Sequence, residues 1–454
     1  MRQTLISLCL VSAIASPAFA ADKTPQQRIS ELEARVKTLE ANAEALRTQA
    51  ADAVAAAKEA RAAIEEMKAA PPATAVASEA PAANEAPAEA PAPETASANG
   101  NAFNPAISII LNGAYGHHSL NPNLYSRAGF PLAGGAGPGP QGISLGESEV
   151  SFAANIDDKL YGQLTLTAED ENGETHVGVE EAFIDTTTLP HGFSLRAGRF
   201  YSNIGYLNSH HAHTDFFYDR PLAYQAFLGN QYGDDGVQLR WVAPTDLFLE
   251  FGGEVFRGQN YPSGGAAHAG AGVKTLFAHA GGDVGVESSW LAGVSMLKAN
   301  SDNTEDGFTG ASKLYIADAT WKWAPQGNFK DGGVTLRGEY FRENRDGQFT
   351  DTANPMLDQP WVGTRNGYYL EGVYRINRSW DAGYRYDHLS ADRSGPYASS
   401  YDPVRNSLML TWLNSEFSLV RLQYSQDKPN PTDIDNILTL QYQVSLGAHG
   451  AHKF

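Results

Sequence analysis

The sequence predicts an all-β transmembrane barrel of about sixteen antiparallel strands, preceded by a periplasmic α-helical coiled coil. Three observations predict it. From residue 101 onward the chain repeats units of about 10–13 residues that alternate apolar and polar, each ended by turn residues. The connections between units alternate short (156–158, 188–191, 244–245, 284–286) and long (117–143, 202–232, 258–271, 344–364). The final strand alternates cleanly through Leu438, Leu440, Tyr442, Val444 and Leu446 before a terminal Phe454. No apolar run reaches the ~18 residues of a membrane helix, so any membrane crossing has to be made by strands.

Residues 1–20 carry the parts of a secretory signal peptide: Arg2, an apolar core from Leu5 to Ile14, and a small-x-small ending at Ala18-Phe19-Ala20. The single cysteine, Cys9, falls inside this leader, so disulfides, thiolate metal sites and a cysteine nucleophile are excluded from the exported chain. Residues 21–69 form the stalk. Ile29, Val36, Ala43, Ala50, Ala57 and Ile64 occupy a positions, and Leu32, Leu39, Leu46, Ala53, Ala60 and Met67 occupy d positions. Its alanine layers bury little surface, so oligomerisation has to be reinforced elsewhere. Residues 70–100 are Ala/Pro/Glu-rich, and frequent proline makes them an extended linker.

The barrel segment, 101–454, has 24 Lys+Arg against 39 Asp+Glu, a net −15 within a whole-chain −19. That balance excludes a nucleic-acid partner, which needs a basic stripe. Strand starts are expected near 105, 144, 159, 175, 192, 233, 246, 272, 287, 311, 332, 365, 378, 403, 416 and 435. An even number returns both ends of the barrel to one side. Tyr115, Tyr201, Trp241, Trp321 and Trp412 at strand ends are placed as interface girdles. One strand, 175–187, has conflicting faces, with Val177, Val179 and Phe183 in line with Glu181.

With the apolar face toward lipid, the lumen wall receives Glu147, Glu149, Arg196, Arg240, Glu250, Glu254, Arg337, Glu339, Glu371, Arg375 and Arg385. Opposed rows of acid and base set up a transverse field across a pore; cross-strand ion pairing that only stiffens the wall is the competing reading. About sixteen strands enclose a water-filled lumen. Loop 202–232 is the expected constriction and holds His210, His211, His213, Asp215, Asp219 and Arg220. Neutral imidazole suits zinc, so His211 and His213 with Asp215 form a candidate divalent-metal site for a transported or transiently bound ion; no resident cofactor is expected. The Gly-rich stretch 133–142 lacks the lysine and helix of a phosphate loop and reads as a mobile external loop. An enzyme is not expected.

Stalk, linker and barrel together resemble the trimeric outer-membrane porins of Gram-negative bacteria. The stretch Leu195–Leu222 resembles the phosphate-selective porins O and P, through Gly198-Arg199-Phe200 at a strand end and Asp219-Arg220 in the loop that follows. The ending Tyr442, Val444, Phe454 resembles the assembly signal of such barrels. The resemblance implies outer-membrane lipid and like subunits, in a trimer, as partners, with peptidoglycan as a candidate ligand of the stalk. The expected function is passive, cation-biased diffusion of small hydrophilic solutes, divalent metals such as zinc among them. The alternatives are an anion-, phosphate- or sugar-selective porin, or an envelope tether or surface receptor without channel activity. The acidic excess departs from the rings of Arg or Lys that an anion pore needs.

Overall fold

The computed structural model describes residues 105–171, 174–265, 270–302, 305–351 and 354–447. The signal peptide, stalk and linker, and Phe454 of the assembly signal, lie outside the described residues. The strands are β1 (Ala106–His118), β2 (Gly142–Leu145), β3 (Ser148–Asn155), β4 (Leu160–Glu171), β5 (Glu174–Thr186), β6 (Phe193–Tyr201), β7 (Gly233–Val242), β8 (Phe248–Phe256) and β9 (Val273–Val284). They continue with β10 (Ser288–Ser301), β11 (Phe308–Trp323), β12 (Gly333–Phe349), β13 (Gln359–Asn377), β14 (Trp380–Ser390), β15 (Val404–Ser415), β16 (Ser418–Lys428) and β17 (Asp435–Gly447).

Each strand pairs antiparallel with its chain neighbour, and β17 returns to β1 from Ser108↔Gly447 to His118↔Ile437, closing the sheet. Both β2 and β3 pair with β1, so they are one stave broken at Gly146-Glu147, and the seventeen described segments make a barrel of sixteen staves. Alternation decides which face is which. In β17, Thr439, Gln441 and Gln443 are buried inside while Leu438, Leu440 and Tyr442 stand exposed outside. Thirteen residues at about 3.3 Å each give β17 roughly 43 Å, enough to cross an apolar layer of ~25–30 Å with a 45° tilt.

One rim carries the short turns and the other the long connections, of which 119–141, 202–232, 257–272 and 391–403 are the longest. The expected loop 344–364 shrinks to 350–358, because the β12–β13 ladder runs on to Phe349↔Gln359. In those extra rungs the outward-facing β12 residues Asn344, Asp346 and Gln348 are polar, so they lack the lipid-side pattern that marks the rest of the strand.

Two local breaks reset which residues face inward. Between Ile110↔Glu149 and Gly113↔Leu145 the register of β1 slips by one residue. Upstream of the slip Ile143 and Leu145 are exposed outside; downstream Glu149 is buried inside. In β5, Thr165↔Glu181 is followed by Leu166↔Val179, leaving Glu180 as an extra residue. Val177 and Val179 accordingly face out while Glu181 and Phe183 face in. A bulge inserts one residue and re-aims its neighbours, which resolves the conflicting faces of this strand.

Loop 202–232 lies inside the barrel. It holds the short helix α1 (Leu222–Leu228), every residue of which is buried. Leu222, Tyr224, Phe227 and Leu228 pack on inward-facing Leu297, Leu314, Ile316, Phe341, Tyr369 and Leu389 of β10–β14. The expectation of a simply water-filled lumen is corrected here, since a hydrophobic core built from wall and loop occupies part of it. The glycine-rich first loop also folds inward rather than standing clear. Phe130 packs edge-on against Phe227 at 5.8 Å. Gly134 meets Gly229 so closely that a Cβ on Gly134 would lie 2.8 Å from the Gly229 Cα, a contact open only to glycine.

Candidate functional site: a histidine–carboxylate band at the inner loop

The two register breaks bring four acids to one band of wall. Glu147 and Glu149 come from the broken stave, and Glu180 and Glu181 from the bulge in β5. Consecutive glutamates normally face opposite ways in a strand; the bulge lets both approach the lumen. His211 sits among them, with Nε2 3.0 Å from a Glu181 oxygen and Nδ1 3.2 Å from Glu149 and 3.4 Å from Glu180. His213 places Nδ1 2.7 Å from the other Glu149 oxygen. The two imidazole rings lie 5.6 Å apart. Burial works against the charge on His211, but the carboxylates of Glu149, Glu180 and Glu181 outweigh it and hold its pKa well above the usual imidazole range.

Tyr201, expected at a membrane interface, instead turns inward. Its hydroxyl donates to Glu180 and its backbone N–H to Glu181 at 3.2 Å. The reason is position: Tyr201 is the last residue of β6, where the chain bends into the lumen.

The rest of the expected loop cluster divides. His210 stacks on Tyr206 at 4.6 Å and holds the Tyr206 carbonyl at 2.7 Å through Nδ1. Arg220 donates to the carbonyls of Leu207 and His210 at 2.8 and 2.6 Å and lies 3.2 Å from Asp215. Asp215 is thus spent inside the loop, and the carboxylate beside His211 and His213 is Glu149. Asp215, expected beside His211 and His213, is therefore not their neighbour; Glu149 takes that place. A sequence reading finds local partners first, and Glu149 is more than sixty positions away in the chain.

Asp219 reaches the opposite wall, pairing with Arg385 at 2.9 Å and with Arg405, and accepting from Gln423 at 2.6 Å. Burial alone would raise its carboxyl, yet Arg385, Arg405 and Gln423 hold it down at about 2. Arg421 donates to the Asp215 carbonyl at 2.6 Å, and Asp387 accepts from the Leu222 N–H at 3.0 Å. Arg405, Asp387, Arg421 and Gln423 were not singled out as loop anchors from the sequence; their polar, inward parity was the available signal.

The wall residues expected to line a pore all face inward, and most are engaged. Glu339 accepts from the N–H groups of Tyr206 and Leu207 and from the hydroxyls of Tyr224 and Tyr369, at 2.7–3.2 Å. Glu254 accepts from Asn203 N–H and Gln238 at 2.9 and 2.7 Å, and from Ser202. Glu250 joins His279 at 2.9 Å and Arg240 at 3.5 Å. Arg337 pairs with Glu371 at 2.9 Å, Arg375 with Asp381 and Arg196 with Asp185, both at 2.8 Å. On β12–β16 the cross-strand pairing reading therefore describes the geometry. The acids at the breaks in β3 and β5 differ, because histidines rather than arginines face them.

No family model matches the chain. An uncharacterized protein of Aquifex aeolicus (strain VF5) is 29% identical over 351 residues, which is 69% of this chain and 70% of the relative. Among solved structures, Salmonella typhi OmpF in complex with daunomycin superposes with a TM-score of 0.51 at 13% identity, over 75% of this chain and 97% of OmpF. An anion-selective porin from Comamonas acidovorans gives 0.48 at 12% identity, over 75% and 99%. The OmpF likeness extends to the fold: a closed antiparallel barrel of sixteen staves.

Proposed function

We propose that this protein is an outer-membrane channel for passive, cation-biased diffusion of small hydrophilic solutes, with loop 202–232 as its constriction. The observation that carries the reading is the acid band at Glu147, Glu149, Glu180 and Glu181. It lies where an inward-folded loop narrows a closed barrel, and it is faced by His211 and His213 rather than by arginines. A local excess of one sign raises the concentration of the opposite ion at the narrowest point. The net −15 of the barrel segment acts in the same direction, although charge on outer loops is screened within about 8–10 Å. The inward-facing arginines Arg337, Arg375, Arg385 and Arg405 are compensated by Glu371, Asp381, Asp387, Asp427 and Asp219, which disfavours a phosphate or general anion pore. Small metal cations, zinc among them, belong to the solute class; outer-membrane lipid, like subunits in a trimer and a periplasmic stalk complete the reading.

Planar bilayers test it. Purified protein in about 1 M KCl is expected to insert in steps of uniform conductance, and a tenfold KCl gradient to give a reversal potential of cation-selective sign. Absence of steps would leave the barrel as an anchor for an envelope tether, and an anion-selective potential would overturn the charge argument.

A further inference from the structure

We propose that Glu149, His211 and His213 form a chelating site for a divalent transition-metal cation such as Zn²⁺, bridging the inner loop to the wall. One ligand atom from each lies within 4.8 Å of the others. Two imidazoles and a carboxylate are a donor set for zinc, copper or nickel rather than for calcium or magnesium, which prefer six or more oxygens.

Two further observations point to a ligand. The Glu180 side chain is only 5% exposed, yet its Oε2 has no hydrogen-bond partner. One carboxylate oxygen each from Glu147, Glu149 and Glu180 also lie within 4.8 Å of one another, so Glu180 stands beside the same carboxylate that both histidines address. His211 Nδ1 is a second orphan: it sits 3.2 Å from Glu149 without hydrogen-bond geometry. A buried carboxylate oxygen without a hydrogen-bond donor is costly, and a cation would relieve that cost.

The geometry needs little change to accept an ion. Donors at about 2.0–2.1 Å from a tetrahedral zinc stand roughly 3.3 Å apart. His211 Nδ1 stands 3.2 Å from Glu149 Oε2, close to that separation, and His213 Nδ1 stands 2.7 Å from Oε1, so the Glu149 carboxylate would turn to present one oxygen to both rings. Second-sphere support is in place, since Tyr201 donates to both Glu180 and Glu181 and fixes their orientation. Glu181, on His211 Nε2, holds the ring so that Nδ1 points to Glu149. Three ligands leave a position open, so the site fits a cation that exchanges.

The proposal rests on the channel reading for how the cation arrives, but its test does not. Isothermal titration of ZnCl₂ into the full-length, metal-stripped protein in detergent at pH 7.5 is expected to show one ion per chain. CaCl₂ under the same conditions is expected to give no comparable binding. His211→Ala, His213→Ala and Glu149→Gln should each weaken zinc binding by about 100-fold or more, since even second-sphere losses cost about 10–100-fold. His213→Gln, close in volume, guards against collapse of the loop, and heat-modifiable migration on SDS gels reports that each variant still forms the barrel. X-ray absorption at the zinc edge should show mixed nitrogen and oxygen donors with imidazole scattering. Unchanged zinc binding in the His211→Ala/His213→Ala variant, or calcium binding as tight as zinc, would overturn the site. Absence of conductance steps from protein that still binds zinc would overturn the channel reading alone.

Discussion

Truncating Phe227 is expected to release the inner loop and widen the channel. The side chain is fully buried; it stacks on Phe341 at 6.0 Å with 7° between planes and receives the edge of Phe130 at 5.8 Å. Arg365 adds a cation over the same ring at 5.8 Å. Removing a buried phenylalanine ring costs about 3–5 kcal/mol in lost transfer energy and residual cavity. The barrel itself is closed by backbone pairing on every side, so the cost falls on docking of α1 rather than on the sheet. At about 1.4 kcal/mol per decade, Phe227→Ala shifts the docked-to-undocked ratio by roughly two to three and a half decades. Single-channel recording in about 1 M KCl should show higher mean conductance with added flicker, and protease added from the long-loop side should cut within 202–232. The lipid-facing variant Leu440→Ala serves as control, because its side chain touches no part of the loop core. Channels of Phe227→Ala that match wild type in conductance, noise and protease resistance would refute the claim that this apolar cluster holds the loop.

Two more outcomes are expected. Because Asp219 is held at about 2 against an ordinary value near 3.8, its contribution to docking is fully present above about pH 4. It is lost as pH falls toward 2, and amounts to about 2 kcal/mol. Channel noise should therefore rise between pH 4 and 2, and Asp219→Asn should show that noise already at pH 7; a flat profile in wild type would count against the anchor. Deleting residues 21–100 should leave an SDS-resistant oligomer, since the stalk's alanine layers bury little; recovery of monomers alone on gels would assign assembly to the stalk.

Strand order and lipid-facing parity were legible in the sequence because lipid on one side and polar surface on the other impose a period of two on every stave. Expected starts at 105, 233, 287 and 435 lie within a residue of Ala106, Gly233, Ser288 and Asp435. The alternation fails where both faces are apolar. Leu314 and Ile316 face the loop core while Tyr315 between them faces out, and Phe341 beside Tyr340 behaves the same way. Nothing local distinguishes such a strand from a merely hydrophobic one; α1, nearly a hundred residues earlier, is the reason for it. The conflict in strand 175–187 was visible as Glu181 in line with Val179, but only pairing with β4 reveals that Glu180 is the inserted residue. The carboxylate beside His211 and His213 was misplaced for the same reason, since Asp215 is near in sequence and Glu149 is near in space.

The inner loop is held by two different chemistries on opposite walls, and this asymmetry bears on how the channel responds to its surroundings. Toward β12–β16 the attachments are aromatic packing and arginine–carboxylate pairs, as at Asp219 with Arg385 and Arg405. Guanidinium stays charged at every physiological pH, so that side is fixed. Toward β3 and β5 the attachment is His211 and His213 against glutamates, a contact whose charge depends on protons and whose donors suit a metal. Above about pH 4, where Asp219 stays ionised, changes in proton or metal concentration therefore act on the His211/His213 end of the loop and leave the α1 end docked. On the proposed function, any adjustment of the constriction then falls on the acid-lined wall.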